Sequence, residues 1–200
     1  AAVQQQIASV KAAGSFNGPR RVLVLGASSG FGLASRIALT FGAGADTLGI
    51  SFERGPSDKG LGSAGWYNNI WFRQAAEQEG RIAINLIGDA FSDALRQQAI
   101  DAIRQQLGQV DLVIYSLASG IRVLPDGRQV RSVLKTTGQP FSGWGLDLEQ
   151  DTLVQQSLAP ATPEEIRDTV TVMGGEDWQL WLQALQQADC LAPGAQTVAY

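Results

Sequence analysis

Three glycines follow directly on an aliphatic run, Val22-Leu23-Val24-Leu25, in the segment Gly26-Ala27-Ser28-Ser29-Gly30-Phe31-Gly32. The run reads as a buried parallel strand. Residues 33–41 read as a helix with Leu33, Ile37 and Ala38 on one face. Glycines at such a strand-to-helix turn let the backbone fold tightly and approach an anion with no side chain in the way. The free N–H groups and the positive end of the helix face that anion, so the chemistry expected here is phosphate binding. A glycine-rich turn without a ligand is the alternative.

Glu53 closes a second apolar stretch, about twenty residues past the glycines, where a dinucleotide fold sets an acid against the adenosine ribose. A carboxylate there accepts a hydrogen bond from the 2′-hydroxyl and repels a 2′-phosphate, which favours NADH over NADPH. The adjacent Arg54 is able to hold such a phosphate, and a solvated loop carboxylate is the plainer reading of Glu53. Asp89 and Ala90 close a third stretch, where an Asp can edge the adenine or simply form a turn. Ser116-Leu117-Ala118-Ser119 closes a fourth, with small residues that let riboses lie against the strand end. These four places fall at successive strand C-termini, where open α/β sheets bind ligands.

What is missing narrows the chemistry further. The 200 residues contain no histidine, which removes Ser-His-Asp and Cys-His catalysis and histidine-ligated zinc. Acid–base work falls to Tyr, Lys, Asp or Glu. Cys190 is the one cysteine, which fits a reducing, cytoplasmic setting and reads as a buried thiol. Apolar content is 44%, charged content 17% and net charge −4, with no basic cluster, so nucleic acid is not an expected partner. The apolar runs are too short to span a bilayer, and no membrane partner is expected.

The elements that must position these residues alternate. Strands are predicted over 20–26, 47–52, 81–87, 111–117 and from 195 onward. Helices are predicted over 7–13, 30–41, 66–79 and 92–107, the last with Leu95, Ala99, Ile103 and Leu107 on one face. Residues 55–65, rich in Gly, Ser, Asp and Pro, read as loop. Strand and helix alternate four times, which predicts an α/β fold: a doubly wound parallel sheet of the Rossmann type that stops in or near its fifth strand. A hairpin insert is predicted over 122–134, turning at Pro125-Asp126-Gly127. Thr162-Pro163-Glu164-Glu165 starts a helix with a capping box. Trp178, Trp181, Leu182 and Leu185 form a core stripe. No domain boundary is evident, so residues 1–200 are expected to form a single domain.

The same residues carry a resemblance. Gly26 to Arg36, Phe41-Gly42-Ala43-Gly44-Ala45-Asp46-Thr47, Phe52-Glu53-Arg54, Ala64-Gly65-Trp66-Tyr67-Asn68, Gly88-Asp89-Ala90-Phe91-Ser92, Tyr115-Ser116-Leu117-Ala118-Ser119, Glu164-Glu165-Ile166 and Val172-Met173-Gly174-Gly175-Glu176-Asp177-Trp178 resemble the NADH-dependent trans-2-enoyl-CoA and enoyl-acyl-carrier-protein reductases. These are short-chain-dehydrogenase-like enzymes, and the match runs over nearly the whole chain. The resemblance implies a monomer that reduces the C2–C3 double bond of an enoyl thioester in fatty-acid synthesis, with acyl carrier protein as a possible carrier. It implies that Gly26, Ala27, Ser28, Ser29, Gly30, Phe31, Phe52, Glu53, Asp89, Ala90, Leu117 and Ala118 contact NADH. It also places a catalytic Tyr-x8-Lys pair after the fifth strand. None of the three tyrosines, Tyr67, Tyr115 and Tyr200, begins such a pair, so no catalytic residue is assigned and little or no reductase activity is expected of these 200 residues. Gly120 stands where the family usually has Pro. The chain is expected to be the cofactor-binding portion of a longer reductase, cut at both ends. An ordinary short-chain alcohol or ketone dehydrogenase and a non-catalytic dinucleotide-binding module remain as alternatives.

Overall fold

The structure, a computed structural model, describes residues 2–58 and 60–200. Along the chain run α1 (Ala2–Ala13), β1 (Arg21–Leu25), α2 (Gly30–Gly42), β2 (Asp46–Ser51), α3 (Ala64–Gln78), β3 (Ala83–Ile87), α4 (Asp93–Ala102), β4 (Val110–Tyr115), β5 (Ile121–Val123), β6 (Gln129–Arg131), β7 (Phe141–Asp147), β8 (Thr152–Leu158), α5 (Pro163–Met173), α6 (Glu176–Gln187) and β9 (Leu191–Ala199). The chain divides into two compact units, one of residues 1–118 with 178–200 and one of residues 119–177.

The first unit is the predicted doubly wound sheet. Its five strands lie in the order β3-β2-β1-β4-β9, every pair parallel. β1 is central and covered on both faces, which is why its sequence is continuously aliphatic rather than alternating. Leu23 and Leu25 join Leu48, Ile50, Leu95, Ala99, Ile103, Trp181 and Leu185 in one core cluster. Val22 and Val24 join Ala27, Leu112 and Ile114 in another. A third cluster ties α1, α2 and α3 together through Val3, Ile7, Leu33, Ile37, Phe72 and Ala76. From β1 the chain winds outward through β2 to β3, then crosses to β4 on the other side of β1. That reversal leaves a crevice at the carboxyl ends of β1 and β4.

The first helix starts at Ala2, ahead of the predicted residue 7, and two further elements differ from prediction for identifiable reasons. The helix predicted to end at 107 does reach that residue, but its last five residues, Ile103–Leu107, widen into a π turn. Gly108 closes it at φ +76°, its N–H donating to Ile103 O at 2.7 Å. β9 starts at Leu191, ahead of the predicted 195. Pro193 and Gly194 hide that start, because the strand slips register between Val110↔Leu191 and Leu112↔Gln196 and Gly194 takes φ +75° there. Cys190 is fully buried just before this strand, and burial pushes its thiol up from the ordinary range.

The second unit holds the predicted hairpin insert as β5 paired antiparallel with β6. Its turn closes with Leu124 N–H on Arg128 O at 2.8 Å and Gly127 N–H on Leu124 O at 2.9 Å. α5 begins as its sequence requires. Thr162 Oγ1 accepts from Glu165 N–H at 3.1 Å while Glu165 Oε2 accepts from Thr162 N–H at 2.9 Å. The unit also contains a second hairpin, β7 with β8, which the sequence reading does not predict. Its apolar residues occupy both faces, with Trp144 and Leu146 on one and Phe141 and Leu158 on the other, so no one-sided alternation marks it. The signal that could have found it is Asp147, whose Oδ1 accepts from Glu149 N–H at 2.9 Å and Gln150 N–H at 3.1 Å and turns the chain.

Among the described residues no helix is long and apolar enough to cross a membrane, and no group of three or more His, Cys, Asp or Glu is placed to hold a metal ion.

Candidate functional site

Every sequence-predicted site residue falls in the first unit, on one edge of its sheet. Strand register brings them there. Leu25 pairs with both Ile50 and Tyr115, and Ser51 pairs with Ile87, so four strands end nearly level. The backbone bonds continue past those ends. Gly26 and Ala27 N–H both donate to Ile50 O at 2.9 Å, Ser116 N–H to Leu25 O at 2.8 Å, and Gly88 N–H to Ser51 O at 3.0 Å.

The glycines have separable roles. Gly26 takes φ +87°, and a Cβ on it would overlap the Ser116 carbonyl oxygen. Gly32 is helical, and a Cβ on it would overlap the Gly26 carbonyl. These two let β1, β4 and α2 approach one another. Gly30 takes φ +54° but has no atom within 4 Å of a built Cβ, so it leaves open space at the start of α2. Ser29 is the N-cap of α2 in extended conformation, yet its side chain makes no capping bond. The first N–H groups of α2 therefore lack the side-chain acceptor that usually satisfies them. Uncapped donors, a positive helix end and open space at Gly30 suit an anionic diphosphate.

Beside the turn, Phe31 is 70% exposed and stacks on Tyr200 with ring centroids 5.4 Å apart. The Tyr200 and Ser35 hydroxyls are hydrogen-bonded at 2.8 Å. Phe52 projects from the end of β2, 82% exposed, and offers a bare aromatic face. Next to it Glu53 is half-buried rather than solvated in a loop. Its Oε1 accepts from the Ser28 hydroxyl at 2.5 Å, and its Oε2 accepts from the Ser63 hydroxyl. The Asn68 side chain donates to Ser28 O at 2.9 Å. Sequence reasoning assigned no role to Ser63, Gly65 or Asn68, although Gly65 and Asn68 lie in one of the segments that carried the resemblance.

The two outer positions are less open. Asp89 Oδ1 accepts from Phe91 N–H at 2.9 Å, the turn-forming use that the sequence left as an alternative, and this occupies one of its two oxygens. Ala90 is buried, and its carbonyl accepts from Trp181 Nε1 at 3.1 Å. On the other flank Leu117 closes over Gly26, and a Cβ there would lie 3.4 Å from its Cδ2. Ala118 is exposed at the end of the same segment.

Beneath the site α2 is fastened to the sheet by a buried cation that sequence reasoning passed over. Arg36 is fully buried; its Nε donates to Thr47 Oγ1 at 3.0 Å, Nη1 to Asn85 Oδ1 at 2.6 Å and Nη2 to Ile84 O at 2.7 Å. Its guanidinium lies 4.2 Å from the Phe72 ring centroid, and burial lowers its pKa to about 9. Gly49 makes room for it, because a Cβ there would overlap the guanidinium. The only sequence signal was a charged residue on the apolar side of a helix.

Comparison with known proteins adds to this geometry. Residues 60–200 match the family described as the trans-2-enoyl-CoA reductase catalytic region, and residues 1–58 match the NAD(P)H binding domain of trans-2-enoyl-CoA reductase. The enoyl-(acyl-carrier-protein) reductase (NADH) 2 of Vibrio vulnificus strain YJ016 is 58% identical over 205 residues, covering 100% of this chain and 51% of that protein. The chain thus spans about half the length of the curated relatives it matches. The crystal structure of a trans-2-enoyl-CoA reductase from Clostridium acetobutulicum in complex with NADH is 44% identical and superposes with a TM-score of 0.94 over 99% of this chain and 50% of that one. A trans-2-enoyl-CoA reductase from Treponema denticola in complex with NAD, also 44% identical, gives 0.92 over 99% of this chain and 51% of that one.

Proposed function

From a chain that belongs to the trans-2-enoyl-CoA reductase family, we infer a role in binding NADH for the reduction of the C2–C3 double bond of 2-enoyl thioesters in fatty-acid synthesis. The observation that carries this reading is the turn at residues 26–31, with Glu53 fastened to its Ser28, at the edge where β1 and β4 part. Relatives named for NADH and structures named for NAD and NADH complexes support the same cofactor.

In this reading the turn from Gly26 to Phe31 receives the diphosphate on uncapped N–H groups. Glu53 accepts from the adenosine ribose and excludes a 2′-phosphate. Phe52, Asp89 and Ala90 border the adenine, and Leu117 with Ala118 border the central riboses. When bound, NADH supplies a hydride for C3 of the enoyl thioester. The enolate that results needs a proton at C2 and electrostatic stabilisation, and these 200 residues carry no Tyr-x8-Lys pair to give either. Residues 1–200 belong to one reductase domain whose dinucleotide site lies in the first unit, in a cytoplasmic and monomeric enzyme. The acyl group is carried by coenzyme A or by acyl carrier protein.

Titration calorimetry with NADH and NADPH tests the cofactor assignment, and NADH oxidation with crotonyl-CoA tests the catalytic one. Tighter binding of NADH than NADPH, with turnover at the background rate, is the expected pair of results. Absence of NADH binding refutes the cofactor reading, and turnover by this chain refutes the reading that catalysis requires the missing pair.

A further inference from the structure

The carboxylate of Glu53 is gripped from two elements at once. Ser28 donates to one oxygen from the glycine-rich turn, and Ser63 donates to the other from the start of α3. Ser63 is the N-cap residue of α3, with extended backbone at φ −64° and ψ 156°, but its hydroxyl caps nothing. Instead Ser63 is locked to the residue after Glu53. Its N–H donates to Arg54 O at 2.9 Å, and its Oγ accepts from Arg54 N–H at 3.1 Å. Its single hydroxyl proton faces Glu53 Oε2, with the Arg54 carbonyl as a second, longer acceptor at 3.2 Å. Two residues on, Gly65 is buried against the same carboxylate, and any side chain there would collide with it. A helix start has been given up as a cap and kept free of a Cβ, and both features converge on one carboxylate.

This arrangement has a consequence for recognition. An ionised carboxylate offers about four acceptor positions across its two oxygens. Ser28 and Ser63 fill one on each oxygen, which leaves one on each for the two adjacent hydroxyls of an unmodified ribose. The same two bonds spend both hydroxyl protons. A 2′-phosphate would then meet a fixed negative charge and find no serine donor, with Arg54 the next residue in the chain. Among the described residues the Arg54 guanidinium has no carboxylate partner of its own.

We propose that Ser63, with Ser28, is a specificity-determining positioning residue that sets the preference for NADH over NADPH by holding Glu53; the inference rests on the NADH reading above. Dissociation constants for NADH and NADPH are measured on the native chain and on Ser63→Ala, Ser63→Thr, Glu53→Ala and the Glu53→Ala/Ser63→Ala double variant. Ser63→Ala lowers the NADH-over-NADPH preference about tenfold, chiefly through weaker NADH binding. Ser63→Thr, which keeps the hydroxyl, restores the preference. In the Glu53→Ala background, removal of Ser63 changes the preference no further, because there is no carboxylate left to hold. A purely structural serine would weaken both dinucleotides alike in both backgrounds, and that result overturns the proposal. So does a Ser63→Ala preference within about twofold of native while Glu53→Ala abolishes it, an outcome that leaves the NADH reading standing. Binding of neither dinucleotide by the native chain overturns that reading and this inference together.

Discussion

Gly26 and Gly30 sit in one turn, both at positive φ, and the structure assigns them opposite sensitivities to a single methyl group. At Gly30 the backbone angle is +54° and a Cβ meets nothing within 4 Å, so Gly30→Ala carries only the left-handed strain, about 1 kcal/mol. At Gly26 the angle is +87° and the Cβ overlaps the Ser116 carbonyl, which is itself pinned because Ser116 N–H donates to Leu25 O at 2.8 Å. Relief requires β1 and β4 to separate at their ends, and such overpacking adds about 2 kcal/mol or more. Gly26→Ala should therefore cost at least about 3 kcal/mol, or roughly 6–12 °C in Tm for a chain of this size, against roughly 2–4 °C for Gly30→Ala. Thermal and urea unfolding followed by circular dichroism measure both. With the diphosphate seated on residues 26–31 as proposed, NADH binding separates the two variants in the other direction, since the Gly30 methyl would then enter its space while the fold stays intact. Equal destabilisation by the two substitutions would refute the claim that Gly26 is required for close strand approach and Gly30 for an open cradle.

Other perturbations follow from particular contacts. Arg36→Met removes three hydrogen bonds and leaves Asn85 Oδ1 and Thr47 Oγ1 without their guanidinium donor, so a loss of about 3–5 kcal/mol is expected in urea unfolding. Thr162→Ala removes one half of the capping box and should cost about 1 kcal/mol locally in α5, seen as faster amide exchange over that helix. Glu165 sits at the other half. The Lys135 ammonium foremost, then the Thr162 N–H, holds its carboxyl below the usual carboxylate range, so its contribution is present above its unfolded value and disappears as pH falls through the lower folded one. Side-chain NMR titration of Glu165 should shift upward in Lys135→Met. Cys190, buried and raised in pKa, should resist alkylation at pH 8 in the folded chain and react fully in urea.

The placement of the candidate site residues at neighbouring strand ends was legible in the chain itself because its signals are local. A run of aliphatics followed by glycines specifies a buried strand and a turn within about ten residues, and the spacing to Glu53 follows from one helix and one strand. The same locality made the capping box at Thr162 and the turn at Gly127 readable. What failed was nonlocal or two-sided. The hairpin of β7 and β8 has no single apolar face to betray it. The start of β9 is masked by Pro193 and Gly194, which only the register with β4 turns into a strand irregularity.

The sequence by itself determined that a glycine-rich turn, an acid and two further strand ends would lie on one edge of a parallel sheet, because strand polarity and helix periodicity force that edge. Only the tertiary structure decided what holds the acid. Ser28 and Ser63 reach Glu53 from 25 and 10 residues away along the chain, and Arg36 reaches Asn85 across 49. Such partners are chosen by how α2 and α3 pack on the sheet, since a hydrogen bond forms only where packing brings donor and acceptor within about 3 Å, and spacing along the chain does not encode that distance.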